Sequence, residues 1–140
     1  KKAFQVLFKL IAYVFLGSVI VVGSFFFFSE TIIGFLFEKG NFTSKDTIVV
    51  SQIQRILLLF VPFYISGVIL NKFLTSINRN VFMLYTSILN LILNLVLNFS
   101  LAKLYGIYGL AIATTSVSII NFVVLYLIVY YQKKQINEIS

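Results

Sequence analysis

The chain has no cysteine and no histidine. Without cysteine there is no disulfide and no thiolate chemistry. Without histidine the commonest general base and metal ligand are missing. Charge is scarce too. Only 11% of the 140 residues are charged, against about 25% in a typical soluble domain. The acids are Glu30, Glu38, Asp46 and Glu138. All four fall in joints or the tail, not as a spaced pair on an apolar stretch, so no carboxylate pair for acid–base work is visible. No glycine-rich loop leads into a Lys-Ser/Thr pair, which argues against ATP hydrolysis. The expectation is a protein that is not an enzyme and uses no cofactor or metal.

What the chain has in excess is apolar length. It is 60% hydrophobic, with a mean hydropathy of +1.03. Uncharged runs extend from Leu10 to Ser29, Ile56 to Asn71, Asn80 to Ala102 and Leu104 to Gln132. A spanning helix needs about 20 mostly apolar residues. Three runs meet that outright, and the second does so if its helix starts near Thr47. No water-soluble packing of this length hides so much apolar surface, so lipid is the solvent for much of it. The expected fold is an all-α membrane protein with four transmembrane helices, in one region spanning residues 1–140. Helices are expected at about 4–28, 46–76, 80–101 and 109–132, with a short interfacial helix at about 31–38. The first run is too long for a signal-peptide core and lacks a small-residue cleavage pattern. The chain begins at Lys1, and its one methionine, Met83, lies inside a helical run. It is expected to be a piece of a longer protein.

The joints carry turn and cap signals. Gly40-Asn41 marks a turn. Either Ser44 with Thr47, or Thr43 with Asp46 at the capping-box spacing, can start the next helix. Pro62 falls within the second span, removes a backbone hydrogen bond and predicts a kink there, a candidate hinge.

The net charge of +7 is read as topology rather than nucleic-acid binding. With a cytoplasmic N-terminus, the inside segments hold Lys1, Lys2, Lys9, Lys72, Arg79, Lys133 and Lys134. The outside segments hold Lys39, Lys45 and Lys103. Seven against three is a positive-inside bias that places both ends of the segment in the cytoplasm. Tyr105 and Tyr108 would then lie near the outer interface, and Tyr130 and Tyr131 near the inner one.

Polar groups inside hydrocarbon are costly, so each needs a reason. Asn90, Asn94 and Asn98 recur at i, i+4 and i+8, which puts them on one helix face. They either hydrogen-bond to neighbouring helices or line a hydrated substrate path. Thr114, Ser118 and Asn121 form a second one-sided stripe, among small residues that allow close helix packing. It has the same two readings. Arg55 lies within a predicted helix near its outer end. Either it snorkels to the outer headgroups, or it faces the bundle interior and binds an anion such as a lipid-linked phosphate.

The joint Phe35-Leu36-Phe37-Glu38-Lys39-Gly40-Asn41-Phe42-Thr43-Ser44-Lys45-Asp46 resembles the "F-x-x-G-x-F-T-x-x-D" joint of the lipid II flippases, the MurJ/MviN family. That family belongs to the multidrug/oligosaccharidyl-lipid/polysaccharide exporter superfamily. Three more features follow in order. Leu59 to Pro62 stands where the family has a "G-L-P"-like kink. Asn90-Leu91-Ile92-Leu93-Asn94-Leu95-Val96-Leu97-Asn98 resembles its "N-x-x-x-N-x-x-L" helix. Tyr105-Gly106-Ile107-Tyr108-Gly109-Leu110-Ala111-Ile112-Ala113-Thr114-Thr115-Ser116 resembles "G-h-x-G-L-A-L-A-T-S". The likeness covers roughly residues 30–132. One joint departs: Ser76-Ile77-Asn78-Arg79-Asn80 stands where the family has Asp-Thr-x-x-Pro.

The resemblance implies consecutive helices from the C-terminal lobe of a two-lobed polytopic transporter. Such a transporter flips lipid II from the inner to the outer leaflet of the bacterial plasma membrane by alternating access. Arg55, Asn90, Asn94, Asn98, Thr114, Ser118 and Asn121 become substrate-path candidates, and Pro62 a hinge candidate. The implied partners are membrane lipids, a lipid-linked oligosaccharide and the remaining helices of the same full-length chain. The family's best-known basic residues lie mostly in other helices, so none is carried over. The departing joint leaves open an exporter of another lipid-linked oligosaccharide. A small four-helix assembly or scaffold protein is the reading from another class. An antiporter of small cations would need an intramembrane acid, which these runs lack.

Overall fold

A computed structural model describes residues 2–138. Lys1, counted above with the inside charges, and the last two residues of the tail lie outside that range. The described residues form six helices: α1 Lys2–Phe27, α2 Ser29–Phe37, α3 Ser44–Leu58, α4 Val61–Ser76, α5 Asn80–Tyr105 and α6 Ile107–Glu138. Four stretches are long and apolar enough to cross a membrane: Lys2–Phe27, Ser44–Ser76, Asn80–Tyr105 and Ile107–Gln135. The chain is an all-α polytopic membrane protein.

The second span is two helices rather than one kinked rod. Leu59 and Phe60 separate α3 from α4. Their N–H groups donate to Ile56 O at 3.2 Å and Leu57 O at 3.1 Å, the tight i−3 pattern of a helix end. Pro62 sits in the first turn of α4, where its missing N–H costs nothing because first-turn donors have no intrahelical acceptor. The proline therefore starts a helix here instead of bending one.

The joints are equally local. Phe28 alone divides α1 from α2, and the ladder nearly continues across it: Phe28 N–H donates to Ser24 O at 3.2 Å, and Ile32 N–H to Phe28 O at 2.9 Å. At the start of α3, the Thr43 N–H and hydroxyl both donate to Asp46 Oδ2 at 2.8 Å. Thr43, not Ser44, is therefore the cap. The α4–α5 turn is a Schellman motif around Asn78, at φ 56°, with Arg79 N–H donating to Leu74 O at 2.9 Å and Asn78 N–H to Thr75 O at 3.1 Å.

Two glycines close the α5–α6 hairpin. Gly106 has φ 58° and ψ −135°, a region essentially reserved for glycine. It absorbs the whole reversal, so α5 continues past Leu101 to Tyr105 and α6 starts at Ile107. Gly109 then passes so close to α5 that a Cβ there would lie 1.9 Å from Leu101 O.

α6 is the central helix, touching α5 on one side and α3 and α4 on the other, while α1 packs on α4. One apolar cluster joins Phe4, Leu7 and Ile11 of α1, Leu70 and Leu74 of α4, and Leu125 and Val129 of α6. An aromatic chain runs inward from it, with Phe15, Phe63 and Phe122 in mutual ring contact. By this antiparallel arrangement Lys2, Lys9, Lys72, Arg79 and Lys133 share the end that holds the cluster. Glu30, Glu38, Asp46 and Lys103 lie at the other. α5 is the least covered helix. Thr86 is its one buried residue, and Leu84, Leu91, Leu95 and Phe99 are exposed, as lipid contact allows.

Candidate functional site

Three polar clusters among the described residues bear on the candidate site. The first is the end where α1 passes into α2. Arg55 reaches back from α3, with Nη2 3.1 Å from Glu30 Oε1. Its Nε donates to Phe26 O at 3.2 Å, and its guanidinium lies 5.7 Å from the Phe26 ring centre. The Phe26 carbonyl lies in the last turn of α1, where carbonyls run out of donors within the helix. Ser29, fully buried, holds its hydroxyl 3.1 Å from Ser51 O and 2.6 Å from Gln54 Oε1. Arg55 thus pairs with a carboxylate of its own chain. Its side chain is 28% exposed and that of Glu30 53%. The sequence placed Glu30 only in a joint, and no pattern singled out Ser29 or Gln54.

The second place is the α5–α6 seam. Asn90, Asn94 and Asn98 are all half-buried and share the stripe of α5 with Thr86, flanked on one side by the exposed Leu91, Leu95 and Phe99. Asn94 Nδ2 donates to Asn90 O at 2.9 Å, a bond within its own helix. Asn90 Oδ1 is buried with no hydrogen-bond partner. On α6, the Thr114 hydroxyl donates to Leu110 O at 3.0 Å and the Ser118 hydroxyl to Thr114 O at 3.0 Å. Both are back-bonded to their own helix, leaving oxygen lone pairs but no proton for a ligand.

The third is the α4–α6 contact in mid-span. Asn121 Oδ1 and Ser66 Oγ are buried without partners. A Cβ on Gly67 would lie 3.7 Å from Asn121 Nδ2, so the amide packs directly on the α4 backbone. One turn and a half earlier, Thr115 donates to Ile56 O at 3.0 Å, gripping the carbonyl just before the α3–α4 break. Thr115 was not singled out by stripe reasoning, because Thr114 fits the period of Ser118 and Asn121. Next to this grip, a cleft of about 480 Å³ opens between α1, the break and α6, with Phe15, Gly23, Phe26, Pro62 and Thr115 among its lining. Among the described residues no group of three His, Cys, Asp or Glu could hold a metal ion.

A broken span, a polar seam on each side of α6 and a helical chain of this hydropathy agree with a transporter lobe. The family profile of lipid II flippase MurJ matches residues 2–139. The chain belongs to the MurJ lipid II flippase family. The curated lipid II flippase MurJ of Thermosipho africanus (strain TCF52B) is 37% identical over 103 residues, covering 73% of this chain and 21% of that relative. The chain therefore spans about a fifth of the length of the MurJ relative it matches. No solved structure matches it.

Proposed function

We propose that the chain is part of the C-terminal lobe of a transporter that flips lipid II across the bacterial plasma membrane by alternating access. Family membership over residues 2–139 carries this reading. The local geometry supports it. Alternating access needs an element with two arrangements, and the Leu59–Phe60 break before Pro62 supplies a place where one span can bend. Polar groups that line a path must be reachable by a ligand. Asn90 and Asn121 each keep a buried amide oxygen without a partner, which would meet a substrate hydroxyl or amide only once the helices around it part.

In this reading Asn90, Asn94 and Asn98 on α5, and Thr114, Ser118 and Asn121 on α6, form the substrate path. Arg55 sets the shape of the outer end through Glu30. The basic end faces the cytoplasm, with both ends of the segment inside. The partners are membrane lipids, the lipid-linked oligosaccharide and the remaining helices of the full-length transporter.

The test is a cysteine scan from Ser87 to Leu101 in the full-length protein, with an impermeant thiol reagent. The segment has no native cysteine to interfere. Positions 90, 94 and 98 should react faster than 91, 95 and 99, and lipid II should protect them. Equal access on all faces would sink the path assignment.

A further inference from the structure

We propose that α2 and α3 form one rigid hairpin that tilts on two joints and gates the end of the bundle opposite the basic one. The inference rests on the transporter reading above, not on the identity of the cargo. The first joint is Phe28, at φ −92° and ψ 8°. The second is Leu59–Phe60, where Pro62 offers no N–H to the Leu58 carbonyl. Ser29 and Glu30 face Ser51, Gln54 and Arg55. The first joint therefore lies about one and a half turns further out than the second. Hinges of this kind are a few residues at element ends that absorb the backbone change.

The hairpin is tied along its length. The buried Ser29 hydroxyl lies 3.1 Å from Ser51 O, and Arg55 Nη2 lies 3.1 Å from Glu30 Oε1. Nearer the turn, the Thr47 hydroxyl donates to Glu38 Oε2 at 3.3 Å, and the Ser44 hydroxyl to Glu38 Oε1. Towards the rest of the bundle the polar ties are single bonds. The Tyr108 hydroxyl of α6 donates to Gln52 Oε1 at 2.9 Å, and the Thr115 hydroxyl to Ile56 O at 3.0 Å. Each joint also borrows a donor from another element, with Arg55 on Phe26 O and Thr115 on Ile56 O. Such bonds can be exchanged at small net cost, as a two-state element requires. The tilt has room. The cleft of about 480 Å³ opens at the second joint, with Leu59, Pro62, Gly23 and Thr115 in its lining. A Cβ on Gly23 would meet nothing within 4 Å. Leu59 is 49% exposed, so it can enter the cleft without leaving a cavity behind. The movement parts α3 from the Thr115 face of α6 and opens the seam at that end.

The experiment places spin labels on the full-length protein in nanodiscs, in a background free of other cysteines. Leu36→Cys with Ile48→Cys lies within the hairpin, and Ile48→Cys with Lys103→Cys crosses from it to α5. All three positions are exposed. Electron paramagnetic resonance should give one distance for the internal pair and two for the crossing pair. Thr115→Val removes one bond and should raise the minor crossing population about fivefold. Thr114→Val should leave it unchanged. Gly23→Leu fills the cleft and should reduce the crossing pair to one distance in a folded protein. These distances are read without lipid II, so a native protein that flips none would strike the cargo assignment and leave them standing. Where the native protein does flip lipid II in vesicles, Gly23→Leu should abolish it. The proposal is overturned by a single crossing distance in native and Thr115→Val proteins alike, or by an internal pair that varies with the crossing pair. Two distances persisting in Gly23→Leu, or undiminished flipping once that variant has frozen the hairpin, overturns it as well.

Discussion

Arg55 and Glu30 meet at 3.1 Å across the joint between the first two helices and α3. The contact ties a charge on a spanning helix to the acid in the first turn of α2. Because Arg55 also holds the Phe26 carbonyl, it fixes where α1 stops and α2 begins. A guanidinium can do both at once, since it presents several donors in a rigid fork. A lysine ammonium in its place would reach one of the two acceptors.

Glu30→Gln should lower stability by about 0.2–1 kcal/mol, the range for partly exposed ion pairs. Arg55→Gln should cost more, because it also strips the Phe26 carbonyl of its donor. Arg55→Lys should recover only part of the loss. Thermal unfolding of the full-length protein in detergent, arranged as a double-mutant cycle, reads the coupling. If Arg55→Lys restores the whole of it, the second bond to Phe26 carries no weight.

Thr115→Val tests the grip on the α3–α4 break. The hydroxyl supplies a donor to Ile56 O across helices, a bond worth about 1 kcal/mol. Thr114→Val should do less, because the Thr114 hydroxyl is bonded within its own helix. Thr115→Ser should behave like the native residue. Hydrogen exchange around Leu58–Val61 is the local readout. Faster exchange in Thr115→Val alone supports the assignment, and equal exchange in both valine variants refutes it.

The apolar spans were legible in the chain because hydrophobic length is a local property that survives any packing. The interruption at Leu59 was legible from Pro62, although proline at the head of a second helix is a different geometry from a kink. Two things were not legible. The pairing of Arg55 with Glu30 joins elements that no local pattern connects. The stripe on α6 pointed to Thr114, since one-sided periodicity assumes one packed face. α6 is packed against α5 on one side and α3 and α4 on the other, so Thr115 is buried as well. A central membrane helix loses its amphipathic signal for that reason.

Gly109→Ala should be among the most damaging small substitutions. Its Cβ would fall 1.9 Å from Leu101 O, and neither backbone can yield without opening the hairpin. A loss of about 1–3 kcal/mol is expected from overpacking. Gly17→Ala and Gly23→Ala meet nothing within 4 Å and should be tolerated. Comparing the yield and melting of the three variants decides it. A Gly109→Ala protein as stable as Gly23→Ala would mean that the α5–α6 approach is looser than described.

Asn121 and Ser66 separate architecture from transport. Both bury a polar oxygen without a partner inside the span, and such an atom contributes desolvation cost without a compensating bond. Removing it should therefore leave stability unchanged or raise it. Asn121→Leu retains the volume, and Ser66→Ala removes only the hydroxyl. If the amide serves the substrate path, Asn121→Leu should fold normally yet lose most lipid II flipping in reconstituted vesicles of the full-length protein. Ser66→Ala should have the smaller effect. If instead Asn121 is structural glue, Asn121→Leu should lower the melting temperature in proportion to the activity it loses. A stable and fully active Asn121→Leu protein would remove Asn121 from the path and leave the α5 asparagines to carry it.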